Sequence, residues 1–204
     1  HPLPAESLMT RRKASLDRAY FETMFRSTDD PWDLESSAYE RDKYAHSIRS
    51  LGGRTYGLGF EIGCAKGVLT QSLAPHCHAL LAIDISETAL KAARERCAAF
   101  DHVSFGQMAF PGQAPVGGIF DLIILSEVAY YWDDHDIGRA AQWITGHMAP
   151  GGDILLVHWT GDTDYPQSGD DAVHKMQAAL APAITEITAQ RTAKYRLDLW
   201  RVCA

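Results

Sequence analysis

The chemistry easiest to read in this chain lies in Gly57 to Pro75, GLGFEIGCAKGVLTQSLAP, answered by Leu80 to Asp84, LLAID. Phe60 and Ile62 mark a short buried strand that carries Glu61; Gly63 and Gly67 punctuate a turn around Cys64 and Ala65, and Val68, Leu69 and Leu73 then share one face of a helix. Glycine tolerates positive φ and lets a ligand approach the backbone, and the helix start beyond it offers unpaired N–H groups. The second run ends on the carboxylate of Asp84, about 20 residues on, where a nucleotide-binding βαβ unit places the acid that hydrogen-bonds ribose hydroxyls. The glycines do not fit G-x-G-x-x-G, so a dinucleotide pyrophosphate is disfavoured. Carboxylates at Glu61 and Asp84 suit a ligand with a cationic end.

Polar and aromatic groups gather at two further places. Phe120 to Leu125 is a continuous apolar run of the kind a central parallel strand needs, and it ends in Ser126, Glu127, Tyr130, Tyr131 and Trp132. Asp153 to Val157 is another, ending in His158 and Trp159. Ligands in open α/β sheets bind outside the carboxyl ends of the strands, so a substrate is expected there. His76-Cys77-His78 lacks a second ligand cluster, and adjacent strand residues point to opposite faces, so no metal is expected. G-x-S-x-G, H-E-x-x-H and G-x-x-x-x-G-K-[ST] are absent.

These groups need a frame. At 204 residues, 46% hydrophobic and 22% charged, the chain fits one domain over 1–204. Leu16, Tyr20 and Met24 recur every four residues and predict a helix from Thr10 to Arg26, with Arg11-Arg12-Lys13 as its solvated end. Ser37 and Glu40 form a capping box for a second helix with Tyr44, Ile48 and Leu51 inward. Trp32, between the two, either staples them to the core or covers the cofactor. The helices within 10–52 thus form a lid over a core spanning 57–204. Ser86 caps a helix after Asp84, Val103 to Phe105 is a third strand, and Asp133 or Asp134 caps the helix of Ile137, Ala141, Ile144 and Met148. Thr160 to Asp171 reads as a polar surface loop, Val173, Met176 and Leu180 mark a helix, and two strands meeting at Tyr195 end the chain.

The order Glu61-Ile-Gly63-Cys-Ala65-Lys-Gly67 resembles the first motif of class I S-adenosylmethionine-dependent methyltransferases, with Ala65 in place of the middle glycine. That resemblance implies an α/β Rossmann-like fold: a seven-stranded, mostly parallel sheet with helices on both faces and an antiparallel C-terminal hairpin. It implies S-adenosyl-L-methionine as cofactor and S-adenosyl-L-homocysteine as product. Glu61, Gly63, Cys64, Ala65 and Gly67 would pass the methionyl part, and Asp84 with Ile85 the ribose. Gln107, Met108 and Ala109 would take the adenine, Ser126 and Glu127 would close the site, and Trp32 would reach it from the lid.

A narrower resemblance follows. FRSTDDPWDLESSAYERDKY, FEIGCAKGVLTQSLAPH, LSEVAYYW and LLVHW are similar to the nodulation protein S family, rhizobial methyltransferases of Nod factor synthesis. It implies methyl transfer to the free amine on the non-reducing terminal glucosamine of a deacetylated chitooligosaccharide. The amine must be neutral to react, so a base is expected among His158, Glu127 and Tyr131, with His158 first because its ordinary pKa lies near neutrality. Tyr130, Tyr131, Trp132 and Trp159 would stack on the sugar, and His158 would bond it. A methyltransferase with another acceptor, a non-catalytic S-adenosylmethionine binder and a nicotinamide enzyme on the same sheet are the alternatives. A net charge of −7 argues against nucleic acid. The absence of a long apolar run or leader, with four cysteines and no C-x-x-C, argues for a soluble protein of the cytoplasm.

Overall fold

The computed structural model describes residues 10–27 and 37–204. Helices α1 (Arg18–Ser27) and α2 (Ala38–Ser50) lead into β1 (Tyr56–Ile62), α3 (Val68–Leu73), β2 (Cys77–Asp84), α4 (Glu87–Arg96) and β3 (Val103–Gln107). Then follow β4 (Phe120–Ser126), α5 (Asp134–His147), β5 (Met148–Trp159), α6 (Gly169–Leu180), β6 (Ile184–Arg191) and β7 (Tyr195–Val202). The strands form one sheet in the order β3-β2-β1-β4-β5-β7-β6. β1 pairs in parallel with β2 and β4, β2 with β3, and β4 with β5, while β7 runs antiparallel to β5 and β6. This is the Rossmann-like architecture with the antiparallel C-terminal hairpin that the resemblance implied. The strand order reverses between β1 and β4, which puts a crevice above their carboxyl ends.

β4 is the spine: Leu122, Ile123, Ile124 and Leu125 are fully buried, as a strand covered on both faces requires. Each such side chain contributes about 1.5–3 kcal/mol through burial, which holds the strand end rigid for the groups that follow. Predicted caps settle here too. Ser37 accepts the Glu40 N–H, Ser86 the Ala89 N–H at 3.1 Å, and Asp133, rather than Asp134, the Asp136 N–H at 2.8 Å.

Three expectations change. The helix predicted from Thr10 begins only at Arg18, because Asp17 accepts the Tyr20 N–H at 2.9 Å and the preceding backbone is drawn elsewhere: Leu16 N–H donates to Tyr131 O at 2.9 Å. Arg11 and Arg12 are therefore not a solvated helix end. Arg11 donates to the carbonyls of Thr163 (3.2 Å) and Tyr165 (3.0 Å), and Arg12 pairs with Asp164 at 3.1 Å. The loop they grip, predicted as polar surface, buries Thr163, Tyr165 and Gln167. On α2 the buried residues are Glu40, Lys43 and Ser47, three apart and then four, so the helix turns a polar stripe inward while Tyr44 and Ile48 are only half-buried.

Candidate active site

The turn after β1 is built by backbone rather than side chains. Gly63 has φ +79° and donates its N–H to Ile83 O at 2.9 Å, as does Cys64. Ala65 follows in the left-handed region at φ +48°, a conformation that costs a non-glycine residue about 1–2 kcal/mol. Its N–H donates to Asp84 Oδ2 at 2.9 Å, which bonds the turn to β2. Gly67 has φ +81°, and a Cβ there would lie 3.0 Å from Ala93 Cα, so glycine lets α4 pack against the turn. Gly67 thus shapes the turn without lining the cavity above it.

That cavity, of about 640 Å³, opens above β1, β2, β4 and β5. Its floor is Glu61, Gly63, Cys64, Ala65, Asp84 and Ile85, and one wall is Met108, Ala109 and Phe110. Asp84 is buried; burial pushes its carboxyl up to about 6 although the N–H groups of Ser86 and Ala65 bond it. Glu61 is buried more completely, accepts the Thr70 hydroxyl, and is pushed up to about 7 by burial. Burial and these two carboxylates hold the Cys64 thiol well above its ordinary range, so it packs against Ala82, Leu90 and Ala93 as an inert group. Gln107 is exposed, donates to Ile85 O at 3.3 Å and does not line the cavity. Trp32 lies outside the described residues.

The opposite wall comes from β4 and β5: Ser126, Glu127, Tyr130, Tyr131, Trp132 and Trp159 all line it. Glu127 sits at φ +57°, a strained conformation that brings its carboxylate into a dense set of partners. Its Oε1 faces Lys43 Nζ at 3.4 Å, and its Oε2 accepts the Tyr130 hydroxyl and the Trp159 N–H, the latter at 3.2 Å. Tyr130, Tyr131 and Trp132 are buried: Tyr131 packs edge-on to Phe21 and Tyr165, and Trp132 lies against Phe110. Trp159 is half-buried and meets Tyr39 edge-on at 6.3 Å.

His158 departs from the expectation that ranked it first. It is completely buried, is not among the cavity residues, and its Nε2 accepts the Ala129 N–H at 3.1 Å. That bond puts the ring proton on Nδ1, and burial pushes the imidazole down to about 4. Neither nitrogen is placed to receive a proton from a molecule in the cavity or to bond a sugar there. Adjacent residues on a strand face opposite ways, so Trp159 reaches the cavity and His158 does not.

Sequence reasoning expected a lid from the first two helices but not the residues they bring to the site: Phe21, Phe25, Tyr39, Glu40 and Lys43 all line the cavity. The spacing of Glu40, Lys43 and Ser47 was the available signal, but charged residues on one helical face read first as solvated. Among the described residues no cluster of His, Cys, Asp and Glu could hold a metal ion. No helix among them is long and apolar enough to cross a membrane.

Comparison with known proteins agrees with this fold. The family model of nodulation protein S matches residues 22–157. Nodulation protein S of Sinorhizobium fredii (strain NBRC 101917 / NGR234) is 32% identical over 132 residues, which are 64% of this chain and 61% of the relative. The chain thus spans less than two thirds of the length of that curated relative. The crystal structure of the N-methyltransferase NodS from Bradyrhizobium japonicum WM9 in complex with S-adenosyl-L-homocysteine superposes with a TM-score of 0.75 at 27% identity, covering 89% of this chain and 97% of that one. A putative methyltransferase from Pseudomonas syringae gives 0.71 at 31% identity, with 81% and 99% covered.

Proposed function

The chain belongs to the nodulation protein S family, and from that premise we propose that it methylates the free amine of the non-reducing terminal glucosamine of a deacetylated chitooligosaccharide, using S-adenosylmethionine. The observation that carries this reading is one cavity lined by Asp84 and Glu61 from β2 and β1 and by Glu127 from the turn after β4. A cavity so lined fits a cationic donor and an amine.

The residues present fit the donor. Asp84 gives one lone pair to the Ala65 N–H and one to the Ser86 N–H. The backbone of Ile85 bonds it as well, and of the roughly four such sites on an ionised carboxylate one remains for a ribose hydroxyl. Gly63 and its neighbours would bear the methionyl part beside Glu61, and Ile85, Met108 and Phe110 would hold the flat base on an apolar wall. Gln107, exposed and turned to Ile85 O, leaves the adenine to Met108 and Ala109. When bound, S-adenosylmethionine supplies an electrophilic methyl group on a sulfonium.

The chain's part is then orientation and one proton. Glu127 would receive the proton the amine loses, with Tyr130 and the Trp159 N–H holding its carboxylate in place. Trp159 and Tyr39, half-buried at the cavity, would stack on a pyranose; Tyr130, Tyr131 and Trp132, packed among other rings, would shape the cavity beneath it. Segment 10–27 and α2 would form the lid. A cytoplasmic setting accords with the free cysteines.

Steady-state kinetics of Glu127→Gln test the assignment. Turnover should fall by about 10²–10⁴-fold while affinity for S-adenosylhomocysteine stays near that of the wild type. Undiminished turnover would remove Glu127 from the proton's path.

A further inference from the structure

Lys43 lies on the inward stripe of α2 with its side chain only 3% exposed. Its Nζ stands 2.5 Å from Glu40 Oε2 and 3.4 Å from Glu127 Oε1, and over the rings of Tyr39 and Tyr44 at 5.9 and 5.4 Å from their centroids. Taking an ammonium out of water costs several kcal/mol, and apolar residues often replace a buried ion pair with no loss of stability. Stability alone is therefore a weak reason for a lysine here. The arrangement is also unbalanced, with two carboxylates for one ammonium, and one of those carboxylates is the strained Glu127 that faces the cavity.

We propose that Lys43 is a positioning residue for the transfer: its ammonium, shared between Glu40 and Glu127, holds Glu127 as an oriented anion toward the acceptor amine. The proposal rests on the reading of Glu127 as the group that takes the amine's proton. Three of the lone-pair directions of Glu127 are taken by Lys43, the Tyr130 hydroxyl and the Trp159 N–H, and one remains for the substrate. In the step itself an amine N–H bond breaks and an O–H bond forms on Glu127, while the amine lone pair forms the new C–N bond and the C–S pair leaves with the thioether.

The charged and titratable surroundings favour this division of labour. From α2 come Glu40, Tyr39 and Tyr44; from the turn after β4, Tyr130. β5 presents His158, which stays neutral, and beyond it β7 carries Tyr195 and the Asp198–Arg196 pair at 2.9 Å. Lys194, in the turn between β6 and β7, lies over the Tyr39 ring at 4.9 Å and is exposed. Burial opposes the charge on Lys43, but Glu127 and Glu40 outweigh it and raise its pKa, so the ammonium persists through neutral pH.

The test is a ¹³C NMR titration of the Glu127 carboxyl, assigned by its loss in Glu127→Gln, run beside the pH profile of kcat on a deacetylated chitooligosaccharide. In Lys43→Met the titration and the acidic limb of kcat should both move up by about one to three pH units, the range for loss of a close opposite charge. In Glu40→Gln both should move down, because Lys43 is then left to Glu127 alone. Lys43→Arg should restore the wild-type order. Shifts in the same direction for the first two variants, or none, would overturn the proposal. Should Lys43→Met not fold, the direction in Glu40→Gln decides it. If the wild type does not turn over the oligomer, the substrate reading falls, and the carboxyl titration alone decides the role of Lys43.

Discussion

Asp84 does two jobs at the residue scale. Its carboxylate fastens the turn after β1 through the Ala65 N–H, and it is the acceptor proposed for the ribose. Because burial raises it to about 6, it is ionised in the ligand-free protein only above that pH. Affinity for S-adenosylhomocysteine should hold steady above about pH 7 and fall up to about tenfold per unit below 6, as one proton must be expelled on binding. In Asp84→Asn the affinity should drop by about 10–100-fold, the loss of a charge-assisted hydrogen bond, and the pH dependence in this window should vanish. Calorimetry across pH measures both, and a wild-type curve as flat as the variant's would place the ribose elsewhere. The sign for folding is the reverse of that for a salt-bridged acid. Asp84 and Glu61 bind protons more tightly folded than unfolded, so each favours the ligand-free fold below its raised pKa and ceases to do so as pH rises through it. His158 makes the complementary case. Replacing it with leucine strands the buried Ala129 N–H and should cost about 1–3 kcal/mol of stability in urea unfolding. The acidic limb of kcat should stay where it is, and a limb that disappeared would return His158 to the proton's path.

At the scale of elements, the first two helices and the strap before them complete a site whose floor is laid by the sheet. Residues 10–17 cross the loop 160–168 through Arg11 and Arg12 and reach α5 through Ser15, which donates to Asp136 at 2.6 Å and accepts the Asp133 N–H at 2.8 Å. Arg11→Ala removes two donations to loop carbonyls and should speed dissociation of S-adenosylhomocysteine by about 5–10-fold if the strap retains the ligand, with little change in association. Stopped-flow release measures this, and an unchanged off-rate would mean that the strap is no lid. These elements were also the least legible in the sequence. The periodicity of Leu16, Tyr20 and Met24 continued the helix through residues whose backbone hydrogen bonds go to distant partners, which local pattern does not report. Glu40 was legible only as the capping-box partner of Ser37 and Lys43 not at all, because only tertiary packing brings the ammonium between Glu40 and Glu127. The strands, by contrast, were plain: Leu122 to Leu125 and Ile154 to Val157 are apolar on both faces, as strands covered on both faces of the sheet require.

The whole molecule sets which acceptors can approach and which can react. Its net charge of −7 favours a cationic or neutral partner, and the sheet order puts Asp84, Glu61 and Glu127 above neighbouring strands around one cavity. The glycine turn and Asp84 were legible because few backbones other than a nucleotide-binding one need that spacing. The proposed acceptor comes only through resemblance, since a carboxylate such as Glu127 looks like any other at a strand end until its partners are seen. An N-acetyl group ties the nitrogen lone pair into amide resonance, so an acetylated terminal sugar can occupy the aromatic wall without offering a nucleophile. The decisive measurement is therefore the product mass after incubation with S-adenosylmethionine and chitooligosaccharides that differ only in acetylation of the non-reducing end. The expected result is a single added methyl, located on that terminal residue, in the deacetylated oligomer alone, with the acetylated oligomer acting as a competitive inhibitor. Methylation of the acetylated oligomer, or transfer to an unrelated amine with none to the sugar, would contradict it.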